Sequence, residues 1–168
     1  MNSKFFSVFL FLIFFLNPYI NTALCSQESI KISNLSHNIS SKGKLLYKIN
    51  AKSGIMDDFS SKTINLDLVE IELLENNFPG FKIFADKGKL NTKDKNLELY
   101  QNINGFNDQY KISCDKLFFK NDKKMIYLDG NIKIISALNS FSSEKGEIDI
   151  EANTITLKKN VKGILNEF

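Results

Sequence analysis

A chain of 168 residues suits one domain. Lysine and arginine number 22 against 19 aspartates and glutamates; this net charge of +3, interspersed along the chain, excludes a nucleic-acid binder built on a basic stripe. Two cysteines and one histidine leave no disulfide framework and no Cys/His cluster with metal-ligand spacing.

Residues 1–25 read as a signal or membrane-anchor segment. Behind Met1-Asn2-Ser3-Lys4, the stretch Phe5–Leu16 contains Ser7 as its one polar residue. As a helix it spans roughly 18 Å, short of the ~30 Å hydrocarbon core of a bilayer. Extension to Leu24 reaches spanning length but takes in Asn17, Pro18 and Asn21. A cleaved secretory signal, with Ala23 and Cys25 as small residues before the cut, and a retained anchor both fit. Lipidation of Cys25 fits less well, because Thr22-Ala23-Leu24 lacks a leucine three places before the cysteine and a small residue just before it. Each alternative exports the rest of the chain.

Residues 26–42 form a linker and first edge strand. The stretch is rich in Ser and Asn, and Ile30–Ile39 offers a strand of its own. His37 falls here and reads as a solvated linker histidine.

From Ile83 to Ile164 the sequence repeats itself every 29 residues. Ile83 matches Ile112 and Phe141; Leu90 matches Phe119 and Ile148; Leu97 matches Ile126 and Ile155; Leu99 matches Leu128 and Leu157. Ile103, Ile132 and Val161 correspond, as do Phe106, Ile135 and Ile164. Polar positions recur too: Asp86, Asp115 and Glu144, and Asn102, Asn131 and Asn160. A looser copy upstream sets Ile49-Asn50-Ala51 against Ile83–Ala85 and Ile64–Leu66 against Leu97–Leu99. Such self-similarity marks stacked supersecondary units sharing one core.

Within a unit, apolar residues alternate with polar ones, which is the period of a half-buried strand. Asn91–Asn96, Asn121–Lys124 and Glu151–Asn153 are polar breaks whose Asx side chains suit tight turns. Four hairpin units give about eight strands, and Ile30–Ile39 adds one. A stack of this kind is open-ended, and its end strands keep unpaired backbone groups.

Catalytic chemistry is missing from this pattern. There is no nucleophile–base set, no Gly-x-Ser-x-Gly and no Gly-rich phosphate loop. Asp57-Asp58 reads as a solvated turn, and Cys114, aligned with Ala85 and Ser143, as a small buried residue. The chain reads as a binding protein that is not an enzyme and needs no cofactor and no metal.

The residues also carry a family resemblance. Gly43-Lys44-Leu45-Leu46-Tyr47-Lys48-Ile49-Asn50-Ala51 resembles the G-x-L-x-Y-x-I-x-A opening of LptC-type lipopolysaccharide export proteins. Phe78-Pro79-Gly80-Phe81 through Ala85-Asp86-Lys87-Gly88-Lys89-Leu90 is similar to that family's aromatic strand leading into A-D-x-G/A-x-L. Leu97–Ile103 resembles L-x-L-x-G-x-V with Gln101 in place of glycine, and Leu128-Asp129-Gly130-Asn131-Ile132 restores the glycine. The likeness runs over about residues 30–165.

The resemblance implies an all-β fold: a twisted, open β-jelly-roll (β-taco) of stacked antiparallel hairpin repeats over residues 43–168, preceded by one N-terminal hydrophobic helix. It implies a non-enzymatic conduit that takes lipopolysaccharide from the inner-membrane ABC transporter and delivers it to an LptA-like periplasmic bridge protein. The bulk of the chain would lie in the periplasm, held by a single-pass anchor or free after cleavage. The groove facing the lipid A acyl chains would be lined by Ile49, Leu66, Ile83, Leu97, Leu99, Ile112, Phe119, Ile126, Leu128, Phe141, Ile148, Ile155 and Leu157. Val161, Lys162 and Gly163 would form the edge that meets the bridge. Two alternatives stand beside this one: a secreted LptA-like bridge protein, and a structural exported β-repeat protein with no lipid ligand.

Overall fold

The computed structural model describes residues 29–41, 44–57, 60–74 and 80–165. The expected N-terminal helix, Gly43, Asp58 and Phe78-Pro79 lie outside the described residues.

Ten strands follow one another: β1 (Ile30–Ser41), β2 (Lys44–Met56), β3 (Thr63–Leu73), β4 (Lys82–Asn91), β5 (Leu97–Phe106), β6 (Tyr110–Lys120), β7 (Met125–Ser136), β8 (Asn139–Asp149), β9 (Thr154–Lys158) and β10 (Lys162–Leu165). Polar turns at 92–94, 121–124 and 150–153 separate them where the Asn, Asp and Lys clusters stand. The strands β1 to β8 form a single antiparallel meander in sequence order. Both β9 and β10 pair with β8, at its far and near ends respectively, so the last strand is one strand broken at Lys159-Asn160-Val161. That break accounts for ten strands rather than the expected nine.

A line of irregularity crosses every strand. The ladder slips between Phe84 and Lys87, Tyr100 and Ile103, Ser113 and Lys116, and Asp129 and Ile132. Left-handed backbone falls on this line at Asn34, Leu68, Gln101-Asn102, Gly130-Asn131 and Lys159-Asn160. Bulges bend a strand and increase its twist, so aligned bulges crease the whole sheet. The recurring acids and asparagines belong to this crease. Asn102 Nδ2 donates to Asp86 Oδ2 at 2.6 Å, Asn131 to Asp115 at 2.8 Å and Asn160 to Glu144 at 2.5 Å. Each bond ties the left-handed residue of one strand to an acid of the strand before it.

The crease divides the sheet into two halves. Half-sheet A carries Ile39, Tyr47, Ile71, Ile83, Ile112, Ile134 and Phe141; half-sheet B carries Leu66, Leu90, Leu99, Phe119, Leu128, Ile148 and Leu157. The ring of Tyr47, early in β2, meets the ring of Phe119, late in β6. Four ladder steps of about 4.8 Å separate those strands in a flat sheet, so the contact requires the halves to fold over one another. The inward residues of both halves form one apolar cluster.

Candidate functional site

The inward face is built by period-two alternation interrupted at the crease, where an extra residue in β3, β4 and β6 resets which side chain points in, while β5 and β7 keep one parity throughout. It brings together every residue assigned above to the groove. Ile49, Leu66, Ile83, Leu97, Leu99, Ile112, Phe119, Ile126, Leu128 and Ile148 are buried in the common cluster, while Phe141, Ile155 and Leu157 are only partly covered. Ile49 and Leu99 are 0% exposed. Ile32 of β1 and Met56 of β2 are partly covered too, so the interior is closed over the central strands and less covered at both ends of the sheet.

Glycines make room for large side chains on the neighbouring strand. At Gly105 a Cβ would come within 2.9 Å of the Phe81 ring, and at Gly88 within 3.0 Å of Leu99. A larger residue at either place would push a core side chain aside.

The two rows of turns meet at a seam opposite the crease. There the buried Tyr47 hydroxyl donates to the Lys95 carbonyl in the β4–β5 turn at 2.9 Å. Burial, with Asp94 nearby, pushes this phenol far above its ordinary value, so it stays a protonated donor. Asn121 N–H donates to Asn96 Oδ1 at 3.0 Å, linking the neighbouring turns on half-sheet B.

His37 belongs to this seam and is not a solvated linker residue. It lies on the side of β1 that Leu35 and Ile39 bury, paired with Ile49. Its Nε2 is buried with no hydrogen-bond partner among the described residues. Desolvation first, and the Lys95 charge second, lower its pKa. The apolar neighbours Leu35 and Ile39 at two-residue spacing were the signal that this stretch is a core-facing strand.

Cys114 is a buried free thiol whose pKa burial pushes up to about 12, as expected of an inert packing residue. Among the described residues no group of His, Cys, Asp and Glu can hold a metal ion, and no helix is long and apolar enough to cross a membrane.

The C-terminal edge is formed by β9 and β10, which pair with β8 on one side. Val161, Lys162 and Gly163 are all exposed at the break and the start of β10. On the other edge, β1 pairs only with β2 among the described strands.

A single antiparallel sheet, creased along its middle and folded over an apolar interior less covered at its two ends, defines an open β-jelly-roll. A family model described as lipopolysaccharide-assembly, LptC-related, matches residues 11–166. The chain belongs to that family of transport components, and its function class is lipopolysaccharide transport. Among solved structures it is similar to the crystal structure of LptH, the LptA homologous periplasmic component of the lipopolysaccharide transport device of Pseudomonas aeruginosa. That match has 9% identity, covers 84% of this chain and 97% of that one, and has a TM-score of 0.36. No curated protein sequence matches the chain.

Proposed function

We propose that this protein is an LptC-like conduit: it receives lipopolysaccharide from the inner-membrane ABC transporter, cradles the lipid A acyl chains between its half-sheets, and passes them to an LptA-like bridge protein at its C-terminal edge. The observation that carries this reading, beside membership of the family, is an apolar interior left partly uncovered at the ends of the sheet, with Ile32 and Met56 at one end. At the other end Phe141, Ile155 and Leu157 continue the apolar interior but are also partly uncovered, where β9 and β10 pair only with β8 among the described strands. An apolar surface of that kind is a liability unless something covers it, and an acyl chain sheltered by an added strand does so. Sealed farther in, the interior takes a chain only if the seam at Tyr47 parts.

A second reading, the secreted bridge of the same pathway, is favoured by one feature. The apolar run Phe5–Leu16 is short and is followed by Asn17-Pro18, which suits a cleaved signal. Intact-mass measurement of the native protein separates the two, because a mature N-terminus at Ser26 or Gln27 means the bridge.

The conduit itself is tested by a photo-crosslinking residue placed at Leu157 or Leu128 in cells. Capture of lipopolysaccharide is the expected result. Leu128→Asp, checked for folding by circular dichroism, should abolish capture at Leu157, since an unpaired buried carboxylate costs several kcal/mol. No capture at either position by a folded protein favours the structural β-repeat with no ligand.

A further inference from the structure

We propose that the outward face of half-sheet A, from β5 to β10, is a docking surface for an anionic lipid bilayer. The proposal stands whether or not the interior carries lipopolysaccharide. Cross-strand register puts Phe106, Lys111, Ile135 and Ile164 along one row of this face, with Lys133 and Lys162 in the next. The three apolar side chains are large and exposed: Phe106 43%, Ile135 47% and Ile164 65%. Phe106 is held upright by stacking on Phe84, with centroids 5.6 Å apart.

The charge on this face is one-sided. Lys111, Lys133 and Lys162 are exposed and make no ion pair among the described residues. No outward position of these strands between the rim and the crease carries a carboxylate, and Asp108 in the β5–β6 turn is the nearest acid at the rim. Elsewhere some lysines, such as Lys89 and Lys116, also make no ion pair, but carboxylates stand among them. Lys82 pairs with Glu70 earlier on half-sheet A, and on half-sheet B Lys87, Lys145 and Lys158 pair with Asp67, Asp129 and Glu147. An ordinary solvated face would show that same mixing.

Unpaired lysines between exposed apolar side chains, on a sheet surface, match the chemistry of a membrane interface. There, hydrocarbon side chains enter the headgroup boundary and ammonium groups meet phosphates. Lysine is disfavoured at protein–protein contacts but suits a diffuse array of anions, being a flexible point charge. A depression of about 440 Å³ between Phe106, Lys111, Lys133 and Ile135 gives a headgroup phosphate a place between two ammonium groups.

The sequence contains no tryptophan, so Phe106→Trp provides a probe confined to this face. The full-length protein carrying it is mixed with vesicles of phosphatidylcholine, or of phosphatidylcholine and phosphatidylglycerol, with acyl chains brominated in each. We expect a blue-shifted emission and at least twofold more quenching in the anionic vesicles, declining as salt is raised. Lys111→Glu, Lys133→Glu and Lys162→Glu together should remove that difference. Tyr127→Trp, outward on half-sheet B, should remain unquenched. Circular dichroism confirms folding, and Ile135→Trp gives the same readout if Phe106→Trp fails to fold. Equal quenching in both vesicles, quenching that survives the three charge reversals, or equal quenching at positions 106 and 127 overturns the proposal. Absence of quenching in every vesicle overturns it too, leaving the face to water or to a protein.

Discussion

The ring of Tyr47 meets that of Phe119 edge-on, with centroids 4.9 Å apart and planes at 82°, although β2 and β6 share no ladder. One residue thus makes both an aromatic contact inside the fold and, through its hydroxyl, a hydrogen bond across the seam to Lys95. The contact favours closure by geometry as well as by area, since edge-to-face pairs add to plain burial.

Tyr47→Phe keeps the ring and loses the seam bond. Denaturant unfolding should show a loss of about 1 kcal/mol, and hydrogen exchange should quicken in the 92–96 turn before it does in the central strands. Tyr47→Ala removes the ring too and should cost about 4 kcal/mol. Equal losses for the two variants would mean that the hydroxyl, not the ring, holds the halves together.

At the crease, Gln101, Gly130 and Lys159 are repeat equivalents, with φ of 67°, 74° and 61°. Gly130→Ala should destabilise by roughly 1–2 kcal/mol through its left-handed backbone, and by more because the added methyl runs into the Asp115 carboxylate. Gln101→Gly should shift stability the other way, by about 0.5 kcal/mol, after the entropy glycine adds to the unfolded chain is subtracted. Thermal melts of the two single variants check the opposite signs.

His37 makes stability depend on pH. Its folded pKa is lowered from 6.5, so below that value the unfolded chain takes up a proton that the folded chain resists. Stability contributed by the neutral imidazole is present above pH 6.5 and declines as pH falls toward the lowered value. His37→Leu should flatten the melting temperature between about pH 7 and pH 5. Asp67 and Asp129 act lower on the scale. Hydrogen bonds from Lys87 and Lys145 lower their pKa values, so their contribution is complete above the ordinary carboxylate range and falls away in acid. A His37→Leu variant with an unchanged slope near neutrality would place the titration elsewhere.

If the bridge protein adds its strand at the C-terminal edge, proline there should block it. Val161→Pro and Lys162→Pro each remove a backbone donor while leaving the inward apolar face in place. Pull-down with the bridge protein should fall sharply for at least one of the two, with little change in circular dichroism. Two folded variants that bind as before would exclude this edge as the joint.

Much of the fold was legible because it is periodic. Alternation gave the strands, the Asn-rich breaks gave the turns, and the 29-residue spacing gave the inward positions from Ile83 to Leu157. The crease was visible only as recurrence. Asp115 and Asn131 repeated in step, but a sequence does not say that residues 16 apart face each other across a bulge. The clue was that Asn, which tolerates left-handed backbone, kept its distance from an acid in all three copies. The seam was illegible because the Tyr47 acceptor is a backbone carbonyl, which carries no residue identity. The outward Phe106 and Ile135 were seen as repeats, and the alternation that buries Leu97, Leu99 and Ile103, or Ile126, Leu128 and Ile132, already points them outward; it does not reveal which charges share that face.

The break between β9 and β10 gives the terminal edge a built-in phase mark. Lys159 and Asn160 sit at φ of 61° and 51°, in line with the paired left-handed residues at 101–102 and 130–131. A straight strand laid along this edge would fall into step with β9 or with β10 but not with both, because the two segments are out of register by the bulge. A strand that carries its own left-handed step at the matching place fits along the full length. If a partner strand joins at this edge, its cadence as well as its side chains would decide the fit.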